Sequence, residues 1–518
     1  MGAEAAEFHR TPTFARIGDY PFHLASLTPA ADAVVDAVGS MSYREFVASI
    51  DLVAQALLAA GVRRGDRVAV LAPPSRDHLV SFMAAARIGA VWMGLNPRHT
   101  REELAVVLSS ATPAAVLSFA AIDGREFGPD LAWLRLHVLG DTSVVATFDE
   151  PVDGCTPWAE FVASGQMVAA GELAEVVRAV TADDPVLLVY TSGTSGTPKG
   201  ALLTHRAVVT TARVQCEHWW AEPFRILNNV PINHIGGAVQ IACHALVAGG
   251  ANVLMPRFEP AMIPAVVSDC NVTVLHQVPT MYRLLLDTGT AAPAQFAGLQ
   301  VLVWSGAAAS IGLVGELRAL CPNLFTSFGQ TETGGEVLYT PAGATDADLA
   351  TSVGVADPRI EVRLSDGSVG ELQVRGPTVM LGYLGQPDAT VTAFTADGWL
   401  RTGDLAERTA DGAYRIVGRL KDMYKSGGYN VYPREVEAVL EAHADVAMAA
   451  VVATPDDVFG EVGVAWVLSE VSPDVEELDR HCRAHLANYK VPKRFHVRSE
   501  LPMLPIGKID KAALRGLL

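Results

Sequence analysis

The stretch of this sequence richest in chemistry is Tyr190-Thr191-Ser192-Gly193-Thr194-Ser195-Gly196-Thr197-Pro198-Lys199-Gly200. Its glycines let the backbone turn tightly and approach a ligand closely. Hydroxyls of Thr191, Ser192 and Thr194, free backbone N–H groups and the Lys199 ammonium together make donors suited to phosphate oxygens. The spacing is not that of a Walker A loop, in which Gly-Lys-Ser/Thr follows four residues after the first glycine. Here Thr197-Pro198 separates Gly196 from Lys199, and Gly200 follows the lysine.

Such a loop needs a rigid strand behind it, and Val186 to Tyr190 is a short apolar run that supplies one. The surroundings read as alternating strands and helices. Ser42 and Glu45 have capping-box spacing ahead of a helix with Phe46, Ile50, Val53 and Leu57 on one face, stopped at Gly61. A strand at Val68–Leu71, a helix near Asp77–Ile88 and a strand at Val91–Leu95 follow, with similar apolar runs at Val272–Leu275 and Val301–Trp304. This order predicts an α/β fold: a large N-terminal domain of parallel-type layers over residues 1–420, β-rich over about 361–418. A small α+β C-terminal domain is expected over 421–518, with a helix opened by Pro433, a strand near Val446–Ala453 and a helix over Val475–Leu486. The charged run Arg419-Leu420-Lys421-Asp422 connects the two.

Bulk properties narrow the function. Of 518 residues, 50% are hydrophobic, so a large core can form, and the net charge of −18 argues against nucleic acid as a partner. The six cysteines are far apart and have no metal-ligand spacing, as expected of reduced core thiols in a cytoplasm. The first ten residues lack the apolar core of a signal peptide. Ile235–Met255 has no Asp, Glu, Lys or Arg, but its glycines and His244, Gln240 and Asn252 fit a buried helix, a Gly249-Gly250 turn and a strand better than a membrane span.

Five further motifs follow the loop in order: Ser305-Gly306-Ala307-Ala308-Ala309, Phe328-Gly329-Gln330-Thr331-Glu332, Thr402-Gly403-Asp404, Gly418-Arg419-Leu420-Lys421-Asp422, and Leu504-Pro505-Ile506-Gly507-Lys508-Ile509-Asp510-Lys511. With the loop they resemble the adenylate-forming superfamily of acyl-CoA synthetases, luciferases and peptide-synthetase adenylation domains, over nearly the whole chain. The resemblance implies an acyl-CoA synthetase. Magnesium-ATP would activate a carboxylic acid as acyl-AMP, and the acyl group would pass to coenzyme A. Thr191, Ser192, Gly193, Thr194, Gly306, Ala307, Phe328, Gly329, Gln330, Asp404 and Arg419 would bind the nucleotide, with Phe328 stacking on adenine and Asp404 holding the ribose hydroxyls. Glu332 would hold Mg²⁺, and Lys199, Thr331 and Lys508 would act on the phosphates.

The same resemblance makes Lys421 the pivot of a domain rotation. Lys425, Gly427 and Gly428 belong to a loop, Lys425 to Glu437, that passes close to the pantetheine arm. His234 would gate the carboxylate site, with Gly236, Trp304, Ala308, Thr333 and Gly334 around the acyl group. These pocket segments are small or apolar and carry no Lys or Arg for a second carboxylate, which favours a hydrophobic monocarboxylic acid, fatty or aromatic. Met281 is a further pocket candidate, and His205 and His244 are expected to be structural. A carrier protein as acceptor, luciferase-like oxygenation and a silent nucleotide sensor remain alternatives, and a homodimer is compatible with the reading.

Overall fold

The computed structural model describes residues 13–140, 143–191, 198–469, 471–503 and 508–518. Two large sheets dominate the N-terminal part. Among the described residues, one sheet runs Val355–Ala356, Gly335–Tyr339, Leu324–Gln330, Val301–Ser305, Val274–Gln277, Arg225–Asn228, Ala251–Leu254, Asp32–Asp36 and Gly39–Ser42. The other runs Gly382–Tyr383, Lys199–Thr204, Pro185–Thr191, Val91–Gly94, Arg67–Leu71, Ala115–Ser118, Val144–Thr147 and Thr156–Pro157. The centres of both sheets are parallel, as expected, but three of their four borders are antiparallel, the exception being Val144–Thr147 with Thr156–Pro157. Leu324–Gln330 pairs antiparallel with Gly335–Tyr339, and Pro185–Thr191 pairs antiparallel with Lys199–Thr204. A chain that turns back within a few residues can only pair antiparallel.

Helices fill the space between the sheets. Tyr43–Ala59 begins at a complete capping box, in which the Ser42 hydroxyl accepts from Glu45 N and the Glu45 carboxylate accepts from Ser42 N. Such a cap stabilises a helix by about 1 kcal/mol. Its buried face, Phe46, Ile50, Val53 and Leu57, shares one core with Ala33, Val34 and Leu254 of one sheet and Val68, Val70 and Val189 of the other. Burying each such large side chain contributes roughly 1.5–3 kcal/mol, so this core locks the two sheets together. The uncharged segment after Ile235 is buried as expected: a widened helical stretch, Gly236–Cys243, a short helix His244–Ala248, a left-handed Gly249 cap and the strand Ala251–Leu254.

The strand expected at Val272–Leu275 lies two residues later, at Val274–Gln277. Asn271 takes a positive φ of 51° and delays its start. Glu361–Leu364, Val369–Arg375, Leu400–Arg408 and Tyr414–Arg419 make a four-stranded antiparallel sheet. Its core includes Val337 and Leu338, which ties it to the first large sheet. Beyond Arg419 the chain enters another sheet, with its own core of Val436, Leu440, Val451, Ala465, Leu478 and Cys482 under helices Pro433–Glu441 and Val475–His485.

Candidate active site

Several strands of both sheets end at one cavity of about 660 Å³. Thr191, Gln277, Ser305 and Gln330 stand at the carboxyl ends of their strands and line it. Open α/β sheets bind ligands at this edge.

One group of side chains gathers at Glu332. The turn carrying it is held from several sides: Thr333 Oγ1 accepts from Gln330 N at 2.9 Å and donates to Gly335 O at 2.7 Å, and Met380 N donates to Glu332 O. Gly334 closes the turn at φ +74°, where a Cβ would fall 2.2 Å from Thr378 O, so only glycine fits. The Glu332 carboxylate accepts from Tyr383 Oη at 2.9 Å and, more weakly, from Thr191 Oγ1 at 3.5 Å. Lys199 Nζ lies 5.2 Å from the centre of the Tyr383 ring. Thr191 and Lys199 are cross-strand partners, so the segment between them starts and ends at one point of the sheet. Ser192, Gly193 and Thr194 lie outside the described residues.

Opposite stands Lys508. Met503 pairs with Ile509, and Asp510 N donates to Pro502 O at 2.8 Å, which anchors the chain directly after it. A Cβ at Gly306 would lie 3.2 Å from Lys508 Cε and 3.3 Å from its Nζ, so the lysine passes directly over a glycine at φ +82°. Burial, aided by Arg419 and Lys421, pulls the Lys508 ammonium down to about 8. Asp404 is only 3% exposed and accepts from Arg419 Nε at 2.7 Å and Nη2 at 3.4 Å. Burial raises its carboxyl, while Arg419 and the more distant Lys508 and Lys421 pull it back. Thr402, Gly403, Arg419 and Lys421 line the cavity beside it.

The other end of the cavity is lined by His234, Gly236, Gln240, His276 and Met281. His234 Nδ1 accepts from Gly236 N at 3.1 Å. Burial and the nearby Lys508 push it down to about 4, so it is a neutral imidazole.

Thr191, Lys199, His234, Gly236, Gly306, Gly329, Gln330, Thr331, Glu332, Arg419, Lys421 and Lys508 therefore share one cavity. Other expected site residues stand elsewhere. Trp304 is fully buried in the core behind the sheet, because strand alternation turns it away from the cavity edge. Thr333 and Gly334 build the turn under Glu332 rather than touching the cavity, and Phe328 packs on the neighbouring small core. Ala307 and Ala308 follow Gly306 but are not on the wall. Lys425, Gly427 and Gly428 belong to the hairpin Tyr424–Val431 of the C-terminal sheet, away from the cavity. Tyr383 was missed from sequence. It has no motif of its own and reaches Glu332 only because Gly382–Tyr383 adds an edge strand to Lys199–Thr204.

An AMP-binding enzyme family model matches residues 22–384, and the C-terminal domain model of the same family matches 435–508. The chain belongs to the AMP-binding enzyme family and, within it, falls among the acyl-CoA synthetases. It is 33% identical to a feruloyl-CoA synthase from Amycolatopsis sp over 96% of this chain and 98% of that one. Identity to 4-coumarate–CoA ligase 2 from Oryza sativa subsp. japonica is 31%, over 98% of this chain and 93% of that one. The fold superposes on ATP-bound MatB from Rhodopseudomonas palustris with a TM-score of 0.82 and 27% identity, covering 97% of this chain and 98% of MatB. Among the described residues no helix is long and apolar enough to cross a membrane.

Proposed function

We propose that this enzyme condenses a hydrophobic monocarboxylic acid, fatty or aromatic, with coenzyme A through an acyl-adenylate. The observation that carries the reading is the position of Lys508: a cation from the C-terminal part lies on Gly306, across the cavity from Thr191, Lys199 and Glu332. A carboxylate oxygen attacks the α-phosphorus of ATP, and the bond to the pyrophosphate oxygen breaks. The protein aligns the two reactants and neutralises phosphate charge. Lys508, Thr331 and Thr191 serve the α-phosphate, Lys199 the leaving phosphates. Asp404 orients the ribose, with Arg419 holding its carboxylate in place. His234, neutral and short of room, closes the carboxylate site and abstracts no proton.

Among the described residues no three metal-ligating side chains cluster. That suits Mg²⁺, which takes one or two carboxylates and completes its shell with phosphate oxygens and water. Glu332 would hold it, and the ion would stabilise negative charge on the phosphates.

In the second step the thiolate sulfur attacks the acyl carbonyl and AMP leaves. For this the C-terminal part, residues 421–518, turns about Lys421, withdrawing Lys508 and bringing the hairpin of Lys425, Gly427 and Gly428 to the thiol. The compartment we assign is the cytoplasm, supported by four buried free cysteines, Cys216, Cys243, Cys321 and Cys482.

The test is a panel of acids with ATP and magnesium, with and without coenzyme A. Pyrophosphate release together with thioester formation is expected. Release without thioester would move the acceptor to a carrier protein, and no release with any acid would refute the enzyme.

A further inference from the structure

Asp404 stands on a bulge, and a buried acid of the neighbouring strand holds that bulge in shape. Strands Val369–Arg375 and Leu400–Arg408 pair Gln373 with Arg401 and Glu371 with Leu405. Between those two pairs Leu372 alone faces three residues, Thr402, Gly403 and Asp404. Bulges re-aim side chains beside functional sites, and this one sets Thr402 and Gly403 on the cavity wall. The extra residues lose their ladder partners, so other groups must satisfy their backbone. Thr402 does part of this: its Oγ1 donates to Leu372 O at 2.7 Å and accepts from Asp404 N at 3.1 Å. Gly403 N donates to Glu371 Oε1 at 3.1 Å.

Glu371 is only 8% exposed and stands behind the cavity wall rather than on it. Its second oxygen, Oε2, accepts from Arg401 Nη1 at 3.3 Å and, more weakly, from Gln373 Nε2 at 3.5 Å. Gln373 is itself oriented by Arg363, whose Nε donates to Gln373 Oε1 at 2.8 Å. The carboxylate is therefore aimed from behind, with Oε1 turned to Gly403. A backbone N–H bound to an ionised carboxylate makes one of the stronger hydrogen bonds. Gly403 needs such a restraint. It sits at φ +72°, and a Cβ there would meet nothing within 4 Å, so glycine is required by the dihedral angle and not by lack of room. On its other side, Gly403 O accepts from Leu420 N at 2.9 Å, the residue before Lys421. Fixing both sides of Gly403 sets the direction in which the next residue, Asp404, projects its carboxylate.

We propose that Glu371 is a positioning residue for nucleotide use: by holding Gly403 N it sets the angle at which Asp404 meets the ribose hydroxyls, while touching neither nucleotide nor acid itself. The proposal rests on the ribose role assigned above to Asp404.

The experiment compares ATP with dideoxy-ATP, which lacks both ribose hydroxyls, using one acid that the wild-type enzyme activates. Pyrophosphate release is measured as kcat/KM for each nucleotide, and melting temperature reports the fold. The wild-type enzyme should prefer ATP by about tenfold or more, because the bonds from hydroxyl to carboxylate form only with ATP. Glu371→Leu is similar in size and has no acceptor; Glu371→Asp keeps the charge but draws it back by one methylene. Each should lose about tenfold on ATP and almost nothing on dideoxy-ATP, so that the preference falls toward one. Glu371→Gln keeps an oxygen for Gly403 N and should retain most of the preference. Arg401→Ala removes a contact to Oε2 alone and should leave the preference unchanged. If the leucine variant does not fold, the aspartate variant carries the test. Equal losses on both nucleotides would mark a general loosening of the sheet and overturn the proposal. So would a preference unchanged in whichever of the leucine and aspartate variants folds. If the wild-type enzyme uses both nucleotides equally well, the ribose reading of Asp404 itself fails and the proposal falls with it.

Discussion

The two ends of the cavity are built differently. The end of the cavity that we propose for phosphate draws on short contiguous motifs: Thr191 and Lys199 are cross-strand neighbours, Thr331 and Glu332 share one turn, and Lys508 lies against Gly306. Each backbone is pinned by glycines or tight turns, as at Gly334 and Gly306, where a Cβ would press on Thr378 O or on Lys508. The acyl end is drawn from distant strands and helices, and its polar members are held by one another, as Glu336 is by Gln215. A site that stabilises displacement at phosphorus needs fixed donors around one atom, which restricts residue type and spacing. An acyl pocket needs only a shape and a few polar contacts, which many combinations satisfy.

That contrast orders the expected effects of substitution. Lys508→Ala should be the most damaging, lowering pyrophosphate release by roughly 10²–10³-fold. Preformed acyl-AMP should still react with coenzyme A at near wild-type rate. Equal loss of both half-reactions would erase the division of labour between the two steps. Gly306→Ala comes next. It places a methyl 3.3 Å from Lys508 Nζ on a backbone at φ +82°, and adenylation should fall by about tenfold or more, measured against an unchanged melting temperature.

A pH profile follows from Lys508. Its ammonium, depressed to about 8, must be charged to meet the phosphates, so kcat/KM for pyrophosphate release should fall as pH rises through about 8. Lys508→Arg keeps the charge at all such pH values and should flatten that limb, at some cost in rate. Removal of the Tyr383 hydroxyl in Tyr383→Phe leaves Glu332 Oε1 only the weaker 3.5 Å bond from Thr191 and should change the magnesium concentration for half-maximal activity by only a few-fold. The smallest effect is expected at the acyl end: Met281→Ala should leave nucleotide affinity untouched while shifting the preferred acid toward a bulkier one.

The same contrast explains what was legible in the sequence. The capping box at Ser42, the uncharged segment after Ile235 and the switch to short strands after Glu361 all follow local rules and stand where periodicity puts them. Thr191, Lys199, Thr331, Glu332 and Lys508, picked out by contiguous motifs, line one cavity. Trp304 was misplaced because a strand shows two faces and its spacing does not say which one meets the ligand. Thr333 and Gly334 share a motif with Glu332, yet their role is to shape its turn. Tyr383 and Glu336 reach the cavity region only through sheet pairing and buried packing, across 51 residues for the Tyr383–Glu332 bond and 121 for the Gln215–Glu336 bond. No local pattern records such partnerships.

The central claim is that one phosphorus atom lies between the strand end at Thr191 and the cation of residue 508. A crystal structure with a non-reactive acyl-AMP mimic tests it most directly. The account predicts the phosphate mimic within hydrogen-bonding distance of Lys508 Nζ and of Thr191, with the ribose at Asp404 and the acyl group running toward Met281. A nucleotide seated elsewhere, or one whose phosphate mimic that lysine does not reach in the adenylating arrangement, would contradict it.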